Sequence, residues 1–199
     1  DLIGIDLMAD VLKSFIKELP ETDKFHEVAQ EIPLIKKLIE TGYTGRKGKG
    51  GFYRINKDGG TKILEALNLE TGDYSPSKKI DIKSEKVDLK KLINRDDKHG
   101  EYAWSVISKI IKYASSLVTE ITDEFNDIDE AMRLGFNWSK GPFEMLEEIG
   151  VENFFNKIDN YSGNKFLENL AKSKNENFYG ERQKYTKIET LGKVKRKAQ

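Results

Sequence analysis

The residue types that most often carry acid–base and metal chemistry are scarce in this sequence. It has two histidines, His26 and His99, far apart in the chain, and no cysteine. The lack of cysteine excludes disulfides, thiolate zinc sites and cysteine nucleophiles. Catalytic triads and catalytic zinc centres generally need more partnered groups than two isolated histidines supply. We predict that His26 is a partly buried helix residue and that His99 is exposed, and neither is assigned a catalytic role.

A glycine-rich basic loop, Gly45–Gly51, is the segment most suggestive of phosphate binding. A Walker loop needs Ser or Thr after its Gly-Lys pair, where this chain has Gly50. A dinucleotide-binding fingerprint comes after a strand and begins a helix, whereas this loop comes after a predicted helix and precedes a predicted strand. The pattern favours a flexible glycine turn. The alternative is contact with an anionic ligand through Arg46, Lys47 or Lys49.

Three acidic residues, Asp123, Asp127 and Asp129, invite a comparison with calcium-binding loops. The EF-hand pattern requires glycine at the sixth loop position, which is Met132 when counted from Asp127. We therefore predict acidic residues on a solvated helix face, and no metal site.

Composition narrows the function classes further. The 199 residues include 34 basic and 34 acidic ones, so there is no net charge to attract nucleic acid or an anionic membrane. No apolar run has the length of a membrane span and no signal peptide is evident, so the cytoplasm is the expected compartment. The chain starts at Asp1 without methionine, and we expect it to be cut from a longer one.

Hydrophobic periodicity predicts mainly helices, with one hairpin near the middle. In the first part of the chain we predict helices over 7–19 and 33–39, and a β-hairpin with strands over 52–55 and 61–64. Asp58-Gly59 is typical of the turn between these strands. The first helix carries an apolar stripe of Leu7, Val11, Leu12 and Phe15.

The second part of the chain is expected to come after a surface connector. We interpret 65–95 as that connector, with at most one helix over 85–94. Longer helices are predicted over 100–119 and 125–134, and a further one begins at Gly141-Pro142-Phe143 and ends near Gly150. Two shorter helices end near Lys172, and 181–199 is expected to be a frayed linker or tail.

A weak internal repeat accompanies this layout. The sequence DLIGID at 1–6 resembles EEIGVE at 147–152, and GFY at 51–53 resembles NFY at 177–179. Two matches in the same order favour a degenerate duplication.

The segment 126–144, NDIDEAMRLGFNWSKGPFE, closely resembles a signature of the 3-hydroxyacyl-CoA dehydrogenase C-terminal domain. Residues 1–6 resemble the stretch directly after the GPF motif in a first copy of that domain, and 45–53 resembles the family's terminal glycine loop. The resemblance implies an all-α fold of tandem helical units with one small β-hairpin. It points to a long bacterial β-oxidation protein of the type in which a hydratase domain comes next.

The resemblance also implies a domain layout and a structural motif. Residues 1–56 would be the latter part of a first C-terminal unit, 57–95 the hairpin and connector, 96–180 a second C-terminal unit, and 181–199 a linker or tail. In the second unit Gly141, Pro142 and Phe143 are expected to be structural.

The implied reaction is NAD-dependent oxidation of a 3-hydroxyacyl-CoA to the 3-ketoacyl-CoA. In the family a Rossmann domain binds NAD and supplies a His–Glu pair and a Ser, and the first C-terminal unit adds an Asn-Arg pair. All of these would precede Asp1, so we expect no catalytic and no cofactor-binding residue in this chain. The matching stretch of the second unit, Tyr102–Ser105, has no Asn-Arg pair.

The expected partners are the upstream Rossmann domain and the acyl-CoA substrate. The second unit would help to wall the acyl-CoA cleft and would mimic the dimer partner of single-unit family members. A chain without the upstream helices is expected to self-associate through the stripe of its first helix or to bury that stripe against the second unit. The alternative is a non-enzymatic helical interaction module of the same descent. A nucleic-acid binder is the least favoured reading.

Overall fold

The computed structural model describes residues 1–57, 60–78, 88–173, 175 and 177–179 of the chain. The chain divides into two compact units, Asp1–Ser84 and Glu85–Gln199, called unit 1 and unit 2 below. The boundaries predicted at 56, 95 and 180 remain predictions.

Unit 1 combines two helices, a short 3₁₀ turn and a small sheet. Its elements are α1 (Ile5–Glu18), the 3₁₀ turn Lys24–Glu27, α2 (Pro33–Glu40), β1 (Tyr53–Asn56), β2 (Ile63–Leu67) and β3 (Tyr74–Pro76). Helix α1 ends two residues before Pro20, and α2 begins at Pro33, whose missing N–H is not needed in a first turn. The predicted helices and hairpin of this unit are therefore confirmed, although the predicted turn Asp58-Gly59 lies outside the described residues.

The third strand was not predicted. The strands pair antiparallel in the order β1-β2-β3, so Tyr74–Pro76 is part of the sheet and not of a surface connector. Tyr74 explains why: its hydroxyl donates to the Gly51 carbonyl at 2.5 Å, and its ring stacks on Tyr43 with centroids 5.6 Å apart. The Arg54 guanidinium lies 4.1 Å from the centre of the same ring. A three-residue strand held by such contacts has too little periodicity to be recognised in sequence.

Unit 2 is helical throughout its described part. Its helices are α3 (Leu89–Ile93), α4 (Lys98–Leu117), α5 (Phe125–Phe136), α6 (Pro142–Ile149), α7 (Val151–Lys157) and α8 (Lys165–Ser173). They correspond to the predicted helices, and the one expected over 85–94 begins at Leu89 because the Asp88 side chain caps it. Residues 79–87 and the predicted tail 181–199 are outside the described part.

The larger of the two buried clusters in the described part of unit 2 joins five of its helices. Its buried members come from α3, α4, α6, α7 and α8, and they are Ile93, Ile111, Leu146, Ile149, Val151, Phe154, Leu167 and Leu170. Each such side chain stabilises the fold by roughly 1.5–3 kcal/mol relative to exposure. The Trp104 ring of α4 adds an edge contact to Phe154, with centroids 5.6 Å apart.

The two units contain the same turn at the places where their sequences repeat. Gly4 (φ 123°, ψ 127°) immediately precedes α1, and Gly150 (φ 89°, ψ 132°) immediately precedes α7. Both values of φ lie in the region that favours glycine. The first residue of each helix, Ile5 and Val151, is buried.

The fold class of the described ranges is mainly helical with a small three-stranded sheet. No helix in these ranges is long and apolar enough to cross a membrane.

Candidate functional site

The glycine loop of unit 1 closes tightly around Asp1. The Gly45 N–H donates to the Gly50 carbonyl at 2.7 Å, and a Cβ on Gly45 would lie 2.3 Å from the Asp1 carbonyl oxygen. A Cβ on Gly51 would lie 2.1 Å from Asp1 Oδ1. Glycine is thus required at these two positions by close approach of the chain to Asp1.

The Asp1 carboxylate joins the loop to the sheet. It accepts hydrogen bonds from the N–H groups of Phe52, at 2.9 Å, and Tyr53, at 2.7 Å. The Arg46 N–H donates to the Asp1 carbonyl at 2.9 Å. The stretch 1–6 and the loop 45–53, which are far apart in the sequence, therefore form one structural feature.

The three cations of the loop differ in their availability. Lys47 Nζ lies 2.7 Å from Asp6 Oδ2 in α1, and this contact holds the pKa of Asp6 below its ordinary value. Lys49 Nζ donates to the Thr41 carbonyl at the end of α2, at 3.0 Å. Within the described ranges the guanidinium of Arg46 makes no hydrogen bond or ion pair, and the residue is exposed. Of the three, Arg46 is the one whose charge has no partner in the part of the chain that the structure describes, so it is the best placed to meet an external anion.

An apolar groove lies between α1 and α2. It has a volume of about 770 Å³. Its apolar lining comes from both helices and the residues beside them, and includes Leu2, Ile3, Met8, Leu12, Ile16, Ile32, Ile35 and Ile39. Several of these remain open to solvent: Ile3 is 66% exposed and Met8 is 55% exposed.

The predicted apolar stripe of the first helix is split between two surfaces. Leu12 lines the groove, whereas Leu7, Val11 and Phe15 are absent from its lining and lie partly exposed elsewhere on α1. Phe15 packs edge-on against Phe25 of the 3₁₀ turn, with centroids 5.6 Å apart. The apolar face of α1 is therefore wider than the groove.

In unit 2 a buried carboxylate organises the signature segment. Asp129 of α5 is fully buried, and the solvated face predicted for it is wrong. It accepts the N–H groups of Phe143 and Glu144, both at 2.9 Å, and the hydroxyl of Tyr179 at 3.0 Å. These two amides are among the unpaired donors at the start of α6. Asp129 therefore caps a helix other than its own.

Burial dominates the electrostatics of this carboxylate. It raises the pKa of Asp129 to about 6, and the hydrogen bonds from Phe143, Glu144 and Tyr179 oppose the shift because they favour the ionised form. Burial likewise raises the pKa of the Tyr179 phenol, and the neighbouring Asp129 charge acts in the same direction.

Gly141 is needed for space and not for a strained turn. Its φ of −81° and ψ of 173° suit any residue, so the backbone conformation does not require glycine here. A Cβ at this position would lie 2.2 Å from Asp129 Oδ1 and 2.4 Å from the Asp129 Cα. Pro142 occupies the first helical position, and the buried Phe143 ring packs against Phe125 at 5.2 Å and Phe166 at 5.0 Å.

A second carboxylate completes the same network. Glu144 Oε2 accepts the Gly141 N–H at 2.9 Å, and its Oε1 lies 2.8 Å from Arg133 Nη1. The signature residues Asp129, Arg133, Gly141 and Glu144 are thus linked around the start of α6. One signal for this role was present in the sequence: Gly141 has no side chain with which to cap its helix, which leaves the first-turn amides open to an acceptor from elsewhere in the chain.

The histidines are where the sequence predicted them to be. His26 is partly buried in the 3₁₀ turn, with Nε2 3.0 Å from the Pro20 carbonyl oxygen, and His99 is exposed in the first turn of α4. Among the residues that the structure covers, no three His, Asp or Glu side chains are grouped so as to hold a metal ion. The described part therefore presents a structural network, an apolar groove and a free arginine.

Comparison with known proteins identifies relatives of both units. Residues 100–197 match the family model described as 3-hydroxyacyl-CoA dehydrogenase, C-terminal domain. A putative fatty acid oxidation complex trifunctional enzyme of Rickettsia felis is 36% identical over 184 residues, which are 87% of this chain and 25% of that protein. The Rickettsia prowazekii protein of the same description is 38% identical over 158 residues, 79% of this chain and 22% of that protein.

A probable 3-hydroxyacyl-CoA dehydrogenase of Bacillus subtilis is 30% identical over 188 residues, which cover 90% of this chain and 23% of that protein. The chain thus spans about a quarter of the length of these relatives. No solved structure matches it significantly.

Proposed function

Because this chain belongs to the 3-hydroxyacyl-CoA dehydrogenase family, we propose that it is the helical C-terminal region of an NAD-dependent 3-hydroxyacyl-CoA dehydrogenase of fatty-acid β-oxidation. The parent enzyme would oxidise 3-hydroxyacyl-CoA to 3-ketoacyl-CoA. The observation that carries the proposal is the match to the C-terminal domain in unit 2, together with relatives that extend over both units.

The residues present do not fit NAD. Dinucleotides bind at the carboxyl ends of parallel strands, beside a glycine turn that begins a helix. In the described ranges the strands pair antiparallel, and the glycine loop leads into β1. We therefore assign the NAD-binding domain and the catalytic base to other parts of the parent polypeptide, and we derive no step of hydride transfer from this chain.

Arg46 is the residue that we assign to the acyl-CoA substrate. CoA carries phosphate groups, and an exposed guanidinium without a partner among the described residues suits a phosphate. Lys47 and Lys49, the other two candidates from the sequence, bind Asp6 and Thr41 and are assigned to holding the loop against the two helices.

Unit 2 is proposed to be a structural copy that replaces the dimer partner of single-unit family members. The stretch Tyr102–Ser105 stands where the family has its Asn-Arg pair. Trp104 in this stretch packs against Phe154 in the core of the unit. A core aromatic at such a position supports a scaffold role.

The test is a comparison of the purified chain with the polypeptide encoded by the whole gene. With acetoacetyl-CoA and NADH, the full-length protein should consume NADH at 340 nm and the 199-residue chain should not. Loss of a whole catalytic group costs many orders of magnitude in rate. Turnover that copurifies with the short chain and disappears in His26→Ala or His99→Ala would place a catalytic base in this chain and overturn the assignment.

The open groove on α1 and α2 favours one alternative, a non-enzymatic helical interaction module of the same descent. Large exposed apolar patches mark binding surfaces. The polypeptide encoded upstream of Asp1 distinguishes the two functions: a nucleotide-binding domain supports the dehydrogenase, and its absence supports the module.

A further inference from the structure

The internal repeat provides a direct comparison for the groove of unit 1. Ile3, Gly4 and Ile5 correspond to Ile149, Gly150 and Val151, and the backbone turns at the two glycines are alike. Helix α1 packs against α2, as α7 packs against α8. Unit 2 therefore shows how this pair of helices is normally surrounded.

Equivalent positions differ sharply in exposure. Ile149 is fully buried, whereas Ile3 is 66% exposed. Phe154 is fully buried, whereas Met8, its equivalent one turn into α1, is 55% exposed. In contrast, Ile5 and Val151 are both buried. The unit 1 pair thus has one apolar side covered and one side open.

In unit 2 this side is covered by helices that come earlier in the chain. Helix α4 contacts α8 and α6, and α6 contacts α7. Trp104 and Ile111 of α4 and Leu146 of α6 belong to the cluster that contains Ile149 and Phe154. In unit 1 the positions equivalent to α4 and to all but the last three residues of α6 would precede Asp1.

We propose that the groove between α1 and α2 is the binding site of a helix that precedes Asp1 in the full-length polypeptide. This helix is the equivalent of α4 in unit 2. Its facing side carries large apolar residues in the manner of Trp104 and Ile111. The relatives, about four times as long as this chain, have room for such a segment. The inference rests on the proposed function only in taking this chain as part of a longer protein.

Hydrogen exchange on the full-length protein and on the 199-residue chain tests whether a helix binds in this groove. The amides of α1 should exchange at least about tenfold more slowly in the full-length protein, since a covered helix opens less often. The protection should be present without ligand and independent of protein concentration. Equal exchange in the two proteins overturns the proposal. Protection that appears only with acetoacetyl-CoA identifies a ligand site, protection that grows with concentration identifies a second copy, and both overturn it.

A matched pair of variants gives a second readout. Met8 lines the groove, and its neighbour Leu7 does not, while the unit 2 equivalent of Leu7 is the polar Asn153. Met8→Asn should lower the melting temperature of the full-length protein clearly more than that of the short chain, and Leu7→Asn should affect both alike. Equal effects of Met8→Asn in the two proteins overturn the proposal. NADH consumption by the full-length protein is measured separately. An active protein with an unprotected α1 therefore refutes the proposed helix-binding site and does not affect the proposed dehydrogenase function.

Discussion

The carboxylate of Asp129 occupies the space that a side chain at position 141 would need: a Cβ on Gly141 would lie 2.2 Å from Asp129 Oδ1. The same carboxylate caps α6 through the amides of Phe143 and Glu144. Glycine at 141 and aspartate at 129 are therefore matched, and their contact joins the first half of α5 to the start of α6. Both residues belong to the signature segment 126–144, twelve positions apart.

Gly141→Ala should destabilise unit 2, because the added methyl group must displace the Asp129 carboxylate or the backbone behind it. We expect a loss on the order of 1–3 kcal/mol in the free energy of unfolding, the usual range for overpacking. Urea unfolding of the two proteins measures it. Gly135→Ala is the control: no atom of the described residues lies within 4 Å of a Cβ at this position, and it is within α5, so it should stabilise by up to about 1 kcal/mol. Unchanged stability of Gly141→Ala contradicts the close-approach argument.

The raised pKa of Asp129 predicts an unusual dependence of the unfolding free energy on pH. Its pKa is raised from 3.8 to about 6 on folding, so between these values the folded protein binds more protons than the unfolded one. Its contribution is therefore fully present below about pH 4 and is lost as the pH rises to about 6. The loss is on the order of 3 kcal/mol, at about 1.4 kcal/mol per pH unit.

Urea unfolding of the unchanged protein and of the Asp129→Asn variant, between pH 4 and pH 7, tests this dependence. The difference in unfolding free energy between the protein and this variant should change with pH across that window. Asp127→Asn serves as the control, since Asp127 is exposed on the same helix and pairs with Thr122. A difference that stays constant for Asp129→Asn from pH 4 to pH 7 shows that burial does not control this carboxylate.

The 199-residue chain by itself should self-associate. Ile3 and Met8 leave a large apolar surface open within the groove, and monomeric proteins seldom expose patches of several hundred Å². Sedimentation velocity at increasing concentration should show a rising mean mass, and Ile3→Lys should suppress it. Lys13→Glu, which changes a charge at the groove margin without removing apolar area, is the comparison variant. A chain that remains monomeric at all concentrations contradicts this expectation.

Local sequence determined most of the elements. Helical periodicity, Pro33 and Pro142 at first turns and Gly150 at a break marked the helices, since each of these signals acts through nearby backbone geometry. The long motif 126–144 also indicated the family, because a motif of that length at fixed spacing is specific. These features needed no knowledge of distant contacts.

Tertiary structure alone decided the burial of Asp129, the strand β3 and the reason for Gly141. Asp129 stands beside exposed acidic residues in the sequence, and only the approach of α6 and Tyr179, 50 residues further on, removes it from water. Likewise, Tyr74–Pro76 becomes a strand because Tyr74 reaches Gly51 and Tyr43 across the sheet. Periodicity reports which face of an element is apolar, whereas the burial of a polar group depends on which partner arrives from elsewhere in the chain.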